Sequence, residues 1–134
     1  MSMQPQPQPP TVTAMLFCDA AILDARTRRM SLVNMIFEIP VVGVPVMYPK
    51  VTLFLSLTSG HGRQTIRVQL EDPSGEIVKQ GSDEVEFPDP LGVRCQVFEF
   101  PNVQMKHLGD YTATVYWGDE ILEQARFRVF KPQG

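Results

Sequence analysis

Histidine and cysteine, the side chains most often used for chemistry, are scarce here: two of each in 134 residues. The cysteines, Cys18 and Cys95, belong to no C-x-x-C pair and no Cys/His cluster, so a structural zinc lacks ligands. A secreted scaffold of this size held together by disulfides would carry more of them. The histidines, His61 and His107, have no G-x-S-x-G elbow to serve, so a nucleophile with its base is not evident. No apolar run approaches the roughly 20 residues of a membrane helix. Excess charge is also missing. Twelve basic residues against 15 acidic ones give a net −3, which argues against broad nucleic-acid binding through phosphate neutralisation. The first ten residues show neither a basic segment nor an apolar one of the signal-peptide kind. The expected setting is therefore the cytoplasm, with Cys18 and Cys95 reduced and buried on strands that could face each other.

Turn formers are abundant: 12 prolines and 9 glycines spread along the chain. Residues 1–10 read as an extended Pro/Gln tail, 11–131 as one domain and 132–134 as its end. Within the domain, hydrophobicity alternates with period two. Tyr111, Ala113, Val115 and Trp117 oppose Thr112, Thr114 and Tyr116. After Gly118-Asp119, Ala125, Phe127 and Val129 oppose Gln124, Arg126 and Arg128. Such a pair of runs is a β-hairpin. Tyr111, following Gly109-Asp110, looks like the tyrosine corner of Greek-key sandwiches, its hydroxyl bonded to backbone a few residues upstream. Ile66, Val68 and Leu70 alternate likewise, and Asp72-Pro73-Ser74-Gly75 has the pattern of a type I turn.

Other segments are less regular. Thr11 to Asp24 is apolar on both faces, the signature of a strand buried on both sides or covered by a neighbour. Met30 to Phe37, Val51 to Thr58 and Glu76 to Phe87 read as strands, the last with a possible break at Gly81. Ile39 to Pro49, with three prolines, reads as a loop or frayed edge. Val93, Cys95 and Val97 point inward until Phe98 and Phe100 switch faces, which suggests a bulge. The expectation is an all-β, immunoglobulin-like antiparallel sandwich of about seven to eight strands.

Several motifs carry a resemblance: Ala14-x-x-x-Cys18-Asp19-x-Ala21, the turn near Thr27 into Leu32, Leu53-x-Leu55 with Gly60-x-Gly62, Leu70-x-Asp72-Pro73-x-Gly75 and Val85-x-Phe87-Pro88. Over residues 12–130 the chain resembles a widespread bacterial family of short uncharacterised proteins. The resemblance implies an immunoglobulin-like sandwich and no assigned activity. One departure is Arg28, where a glycine is expected in the first hairpin turn.

Each group that could carry chemistry has a structural reading beside it. His61, between Gly60 and Gly62, could form a small anion nest, but an exposed turn explains it. His107 is a loop residue before the corner. Asp83, Glu84, Glu86 and Asp89 form the densest acidic run, read as a solvated face. Arg26, Arg28 and Arg29 make a basic turn. Tyr116, Trp117 and Tyr48 are candidate contact aromatics, with Trp117 expected in the core. No catalytic, cofactor-binding or metal residues are assigned, and no cofactor is expected. The leading expectation is a non-enzymatic protein-interaction or scaffold module. The alternatives are a small-molecule or ion-binding domain using the His61 loop, and an assembly or virion component docking through its N-terminal tail. Val41, Val42, Val44, Val46 and Met47 are apolar for a solvated loop, so a homo-oligomer formed through this segment or a strand edge is also expected.

Overall fold

The structure, a computed structural model, describes residues 8–133. The tail expectation for residues 1–10, and with it the tail-docking alternative, lies almost wholly outside the described residues.

The chain forms nine strands and, among the described residues, no helix: β1 (Thr11–Leu23), β2 (Met30–Met35), β3 (Glu38–Pro40), β4 (Val46–Thr58), β5 (Gly62–Glu71), β6 (Ile77–Phe87), β7 (Arg94–Met105), β8 (Gly109–Trp117) and β9 (Glu120–Phe130). A four-stranded sheet runs β2-β1-β4-β7 and a five-stranded sheet runs β3-β9-β8-β5-β6. Placing β4 and β7 in one sheet and β5, β8 and β9 in the other is the B–E against C–F–G division of an immunoglobulin-like sandwich. The fold class expected from the sequence is the one observed.

The core lies between the sheets. Leu53, Leu55 and Leu57 of β4 meet Ile66, Val68 and Leu70 of β5 and Tyr111, Ala113 and Val115 of β8, all fully buried. Phe17 of β1 meets Phe127 of β9 edge-on at 4.9 Å between ring centres, which fastens one sheet to the other. Tyr111 is fully buried, stacks on Phe127 at 5.5 Å and donates its hydroxyl hydrogen bond to the His107 carbonyl at 2.8 Å. This is the tyrosine corner.

Turn chemistry follows the sequence closely. The Gly75 amide donates to the Asp72 carbonyl at 2.9 Å, closing the turn. Arg28 takes φ 60°, the left-handed conformation that a glycine would adopt freely. Asp24 holds this turn by accepting bonds from the Arg26 and Thr27 amides at 2.8 and 3.2 Å.

Four expectations are corrected. First, the proline-rich segment is not simply a loop: Glu38–Pro40 pairs parallel with Arg128–Phe130, and β4 already begins at Val46. Three edge residues suffice for β3, and an edge tolerates Pro40. Ile39 and Val41 enter the core, whereas Val42 and Met47 are exposed. Second, β7 has the opposite phase: Phe98 and Phe100 point inward, and the β4–β7 register runs without a shift. Third, Cys95 is consequently exposed. Cys18 and Cys95 share one sheet, with β4 between them, and do not face each other across the sandwich. Fourth, β1 is not buried on both sides. Phe17 enters the core, while Ala14, Leu16 and Ala20 on the other face are only partly covered. β6 is continuous through Gly81.

Candidate functional site

The strand registers set the separation of the candidate groups. Leu57 pairs with Arg94 at one end of the four-stranded sheet, and Val46 with Met105 at the other. His61 follows the first end and His107 the second, so about 11 residues of strand, on the order of 35 Å, lie between them. The two imidazoles cannot share a substrate. The His61 carbonyl accepts from Gln64 Nε2 at 2.5 Å, and Gln64 Oε1 accepts from Trp117 Nε1 at 2.7 Å. Trp117 is thus packed against the core, with its indole proton satisfied by β5.

The acidic run is a solvated strand face. Arg63, on the partner strand, pairs with Glu84 at 3.7 Å and Glu86 at 3.6 Å, all three side chains being well exposed. Exposed pairs of this kind contribute little. Among the described residues no three His, Cys, Asp or Glu side chains converge as metal ligands would. Tyr116 lies under the Arg67 guanidinium at 4.3 Å from its ring centre, a cation–π contact. The Arg26, Arg28 and Arg29 turn is exposed at the tip of the first hairpin. Cys95 lines an open cleft of about 840 Å³ with Glu86, Phe87, Val93, Arg94 and Gln96.

A polar cluster at Asp19 stands out from the strand that carries it. Asp19 Oδ1 accepts from the Tyr48 hydroxyl at 2.9 Å and Oδ2 from Asn34 Nδ2 at 3.1 Å. The Asp19 carbonyl accepts from Thr52 Oγ1 at 3.0 Å. Burial, and then the bond to Asp19, push the Tyr48 phenol up to about 12. Such a phenol stays protonated and donates, so the cluster clasps β1, β2 and β4 and supplies no base. Burial likewise pushes the neighbouring Cys18 thiol up, with Asp19 adding to the effect, which makes it inert. Asp19 is legible in sequence only as one carboxylate in an otherwise apolar strand.

The larger asymmetry is between the two outer faces. The five-stranded sheet presents Arg67, Gln69 and Glu71, then Thr112, Thr114 and Tyr116, then Gln124, Arg126 and Arg128 to the outside. The four-stranded sheet presents a different set. Leu16, Phe54 and Val97 form one cross-strand row, and Met35, Cys18, Thr52 and Glu99 the next. Ala20 and Val33 stand beside them, with Ile22 beyond. Leu16, Phe54 and Val97 are half-buried and Cys18 and Thr52 fully buried among their neighbours, while Val33, Met35 and Ile22 are 37%, 43% and 54% exposed. An antiparallel sheet with one solvated face ordinarily carries polar residues there. This face is the structure's candidate interaction surface.

No curated protein matches the sequence. Among solved structures, an immunoglobulin-like protein from Pseudomonas aeruginosa is similar over 94% of this chain and 100% of its own, at 13% identity and TM-score 0.49. A putative beta-galactosidase from Bacteroides fragilis is similar over 59% of this chain at 15% identity and TM-score 0.44, and the match spans only 13% of that enzyme. A beta-glucosidase from Kluyveromyces marxianus is similar over 70% of this chain and 14% of its own, at 17% identity and TM-score 0.44. The sequence itself matches a family profile over residues 13–130, nearly its whole length, and the chain therefore belongs to the family described as Family of unknown function (DUF6941).

Proposed function

We propose that the protein is a non-enzymatic interaction module that binds another protein through the outer face of its four-stranded sheet. The observation that carries this reading is the row Leu16–Phe54–Val97, with Val33 and Met35 beside it, set against a predominantly polar outer face on the other sheet, where Ile121 beside Tyr116 is an exception at one end. Contiguous exposed apolar surface marks a contact site. The wide separation of His61 from His107, and the inert environments of Cys18 and Tyr48, favour binding over catalysis. The setting proposed is the bacterial cytoplasm, supported by two free thiols, one of them the exposed Cys95.

The test is photo-crosslinking in cells, with a photoreactive side chain replacing Met35 on the apolar face or Gln69 on the polar one. Adducts to a polypeptide from position 35 and none from position 69 are expected. Equal yields at both positions, or adducts at neither, overturn the reading.

A further inference from the structure

Thirteen large apolar side chains are exposed among the described residues, and eight of them lie between Ile22 and Met47. The others, such as Leu91 and Ile121, are scattered over turns and edges. Ile22, Val33 and Met35 stand on the β1–β2 hairpin beside the Leu16–Phe54–Val97 row, while Phe37, Val42, Val44 and Met47 lie around β3 and the start of β4.

We infer that the occupant of this face is a second copy of the chain, packed sheet against sheet about a two-fold axis. This rests on the interaction-module reading and names its partner. Three features support a self-match. The face is regular: four strands at ~4.8 Å spacing and the stretch from Ala14 to Ile22 at ~3.3 Å per residue give roughly 500 Å² in projection, and side-chain relief brings the accessible area toward the ~800 Å² per partner of a standard interface. Sheets pack on sheets at ~10 Å through interdigitated side chains, as the two sheets of this domain already do. Finally, the face carries one charge of each sign, Lys50 on β4 beside the Ala20–Val33 row and Glu99 on β7 at the end of the Met35–Cys18–Thr52 row, so its charges sum to zero and a second copy meets it without net repulsion.

The experiment is sedimentation equilibrium of the full chain across low to high micromolar concentration. The wild type is expected to sediment with the mass of two chains. Leu16→Arg, which sets a charge in the central row, and Met35→Glu, at a side chain exposed enough to leave folding intact, are each expected to weaken association at least tenfold. Their far-ultraviolet circular dichroism should be unchanged. Gln69→Arg on the polar sheet should keep the two-chain mass. A one-chain mass for the wild type at high micromolar concentration overturns the inference, as does a two-chain mass retained by both apolar-face variants. A one-chain mass combined with crosslinks from position 35 to a different protein overturns self-association and leaves the module standing. A one-chain mass without crosslinks overturns both.

Discussion

Replacing Tyr111 with Phe removes one hydroxyl and nothing else. The ring keeps its stack on Phe127 and its burial, so the change isolates the bond to the His107 carbonyl. A hydrogen bond contributes about 0.5–1.5 kcal/mol net, and stranding a buried partner raises the loss toward 1–3 kcal/mol. His107 sits in an exposed loop, where water reaches the freed carbonyl, so the lower half applies: about 1–2 kcal/mol. For a domain of this length that is roughly 4–8 °C in Tm. In urea the midpoint should fall while the slope of free energy against denaturant stays constant, because the surface exposed on unfolding is unchanged. Tyr111→Ala also loses the stack and leaves a cavity, so it should cost about 3–5 kcal/mol. An unchanged midpoint in Tyr111→Phe would refute the claim that this bond anchors the β7–β8 connection. Equal losses in the two variants would show that the ring contributes nothing separable from the hydroxyl.

Thiol labelling of the native protein should consume one equivalent quickly, at Cys95, and reach two only after unfolding exposes Cys18; two fast equivalents would contradict the burial of Cys18. Arg28→Gly should stabilise the protein by up to about 1 kcal/mol, since relief of the left-handed backbone exceeds the added freedom of the unfolded chain; a lower urea midpoint would show that the arginine side chain holds the turn. Gly60→Ala should destabilise by about 1–3 kcal/mol, because a Cβ there would collide with the Phe87 ring; thermal melts decide it. Asp72 is buried, which by itself pushes its carboxyl up. Bonds from the Ser74 hydroxyl and from the Glu76 and Ser74 amides outweigh this and hold it below the ordinary aspartate value. Because the folded value lies below the unfolded one, its contribution is complete above about pH 4 and is lost as pH falls further. Urea midpoints measured at pH 7 and pH 3 should therefore differ less in Asp72→Asn than in the wild type.

The elements legible in sequence are those whose local chemistry and tertiary role coincide. β5, β8 and β9 alternate cleanly because one face meets the core and the other meets water. Asp72-Pro73-Ser74-Gly75 and Gly118-Asp119 announce their turns because proline, aspartate and glycine fit those conformations intrinsically. Two elements were hidden for physical reasons. β3 is three residues long, and its neighbouring bonds, Val41 amide to Phe130 carbonyl and Arg128 amide to Phe37 carbonyl, come from a strand remote in sequence. The phase of β7 could not be read locally, since Cys95 and Val97 look as fit for a core as Phe98 and Phe100. Its inward face does switch, but between Phe100 and Val103, where Asn102 adopts φ 53° and the register with β4 is kept.

The same ambiguity in β1 leads to the candidate surface. A strand apolar on both faces implies a cover on both, and only one is present: Phe17 lies under Phe127, while Leu16 faces out. A partner could in principle reach this sheet along its edge instead. The edges argue against it. On β2, Asn34 takes φ 52° in a strand of six residues, which interrupts the row of groups an added strand would need. On β6, the free edge of the other sheet, Asp83, Glu84 and Glu86 place like charges where an incoming strand would lie. On β7, the second edge of the four-stranded sheet, Pro101 has no amide to donate and Asn102 takes φ 53°, which again interrupts the row. Charge and irregular backbone thus guard these edges against strand addition, and neither device appears across Leu16, Phe54 and Val97. The open apolar surface therefore lies on the face of the four-stranded sheet, where contact is made by packing side chains and not by extending the ladder.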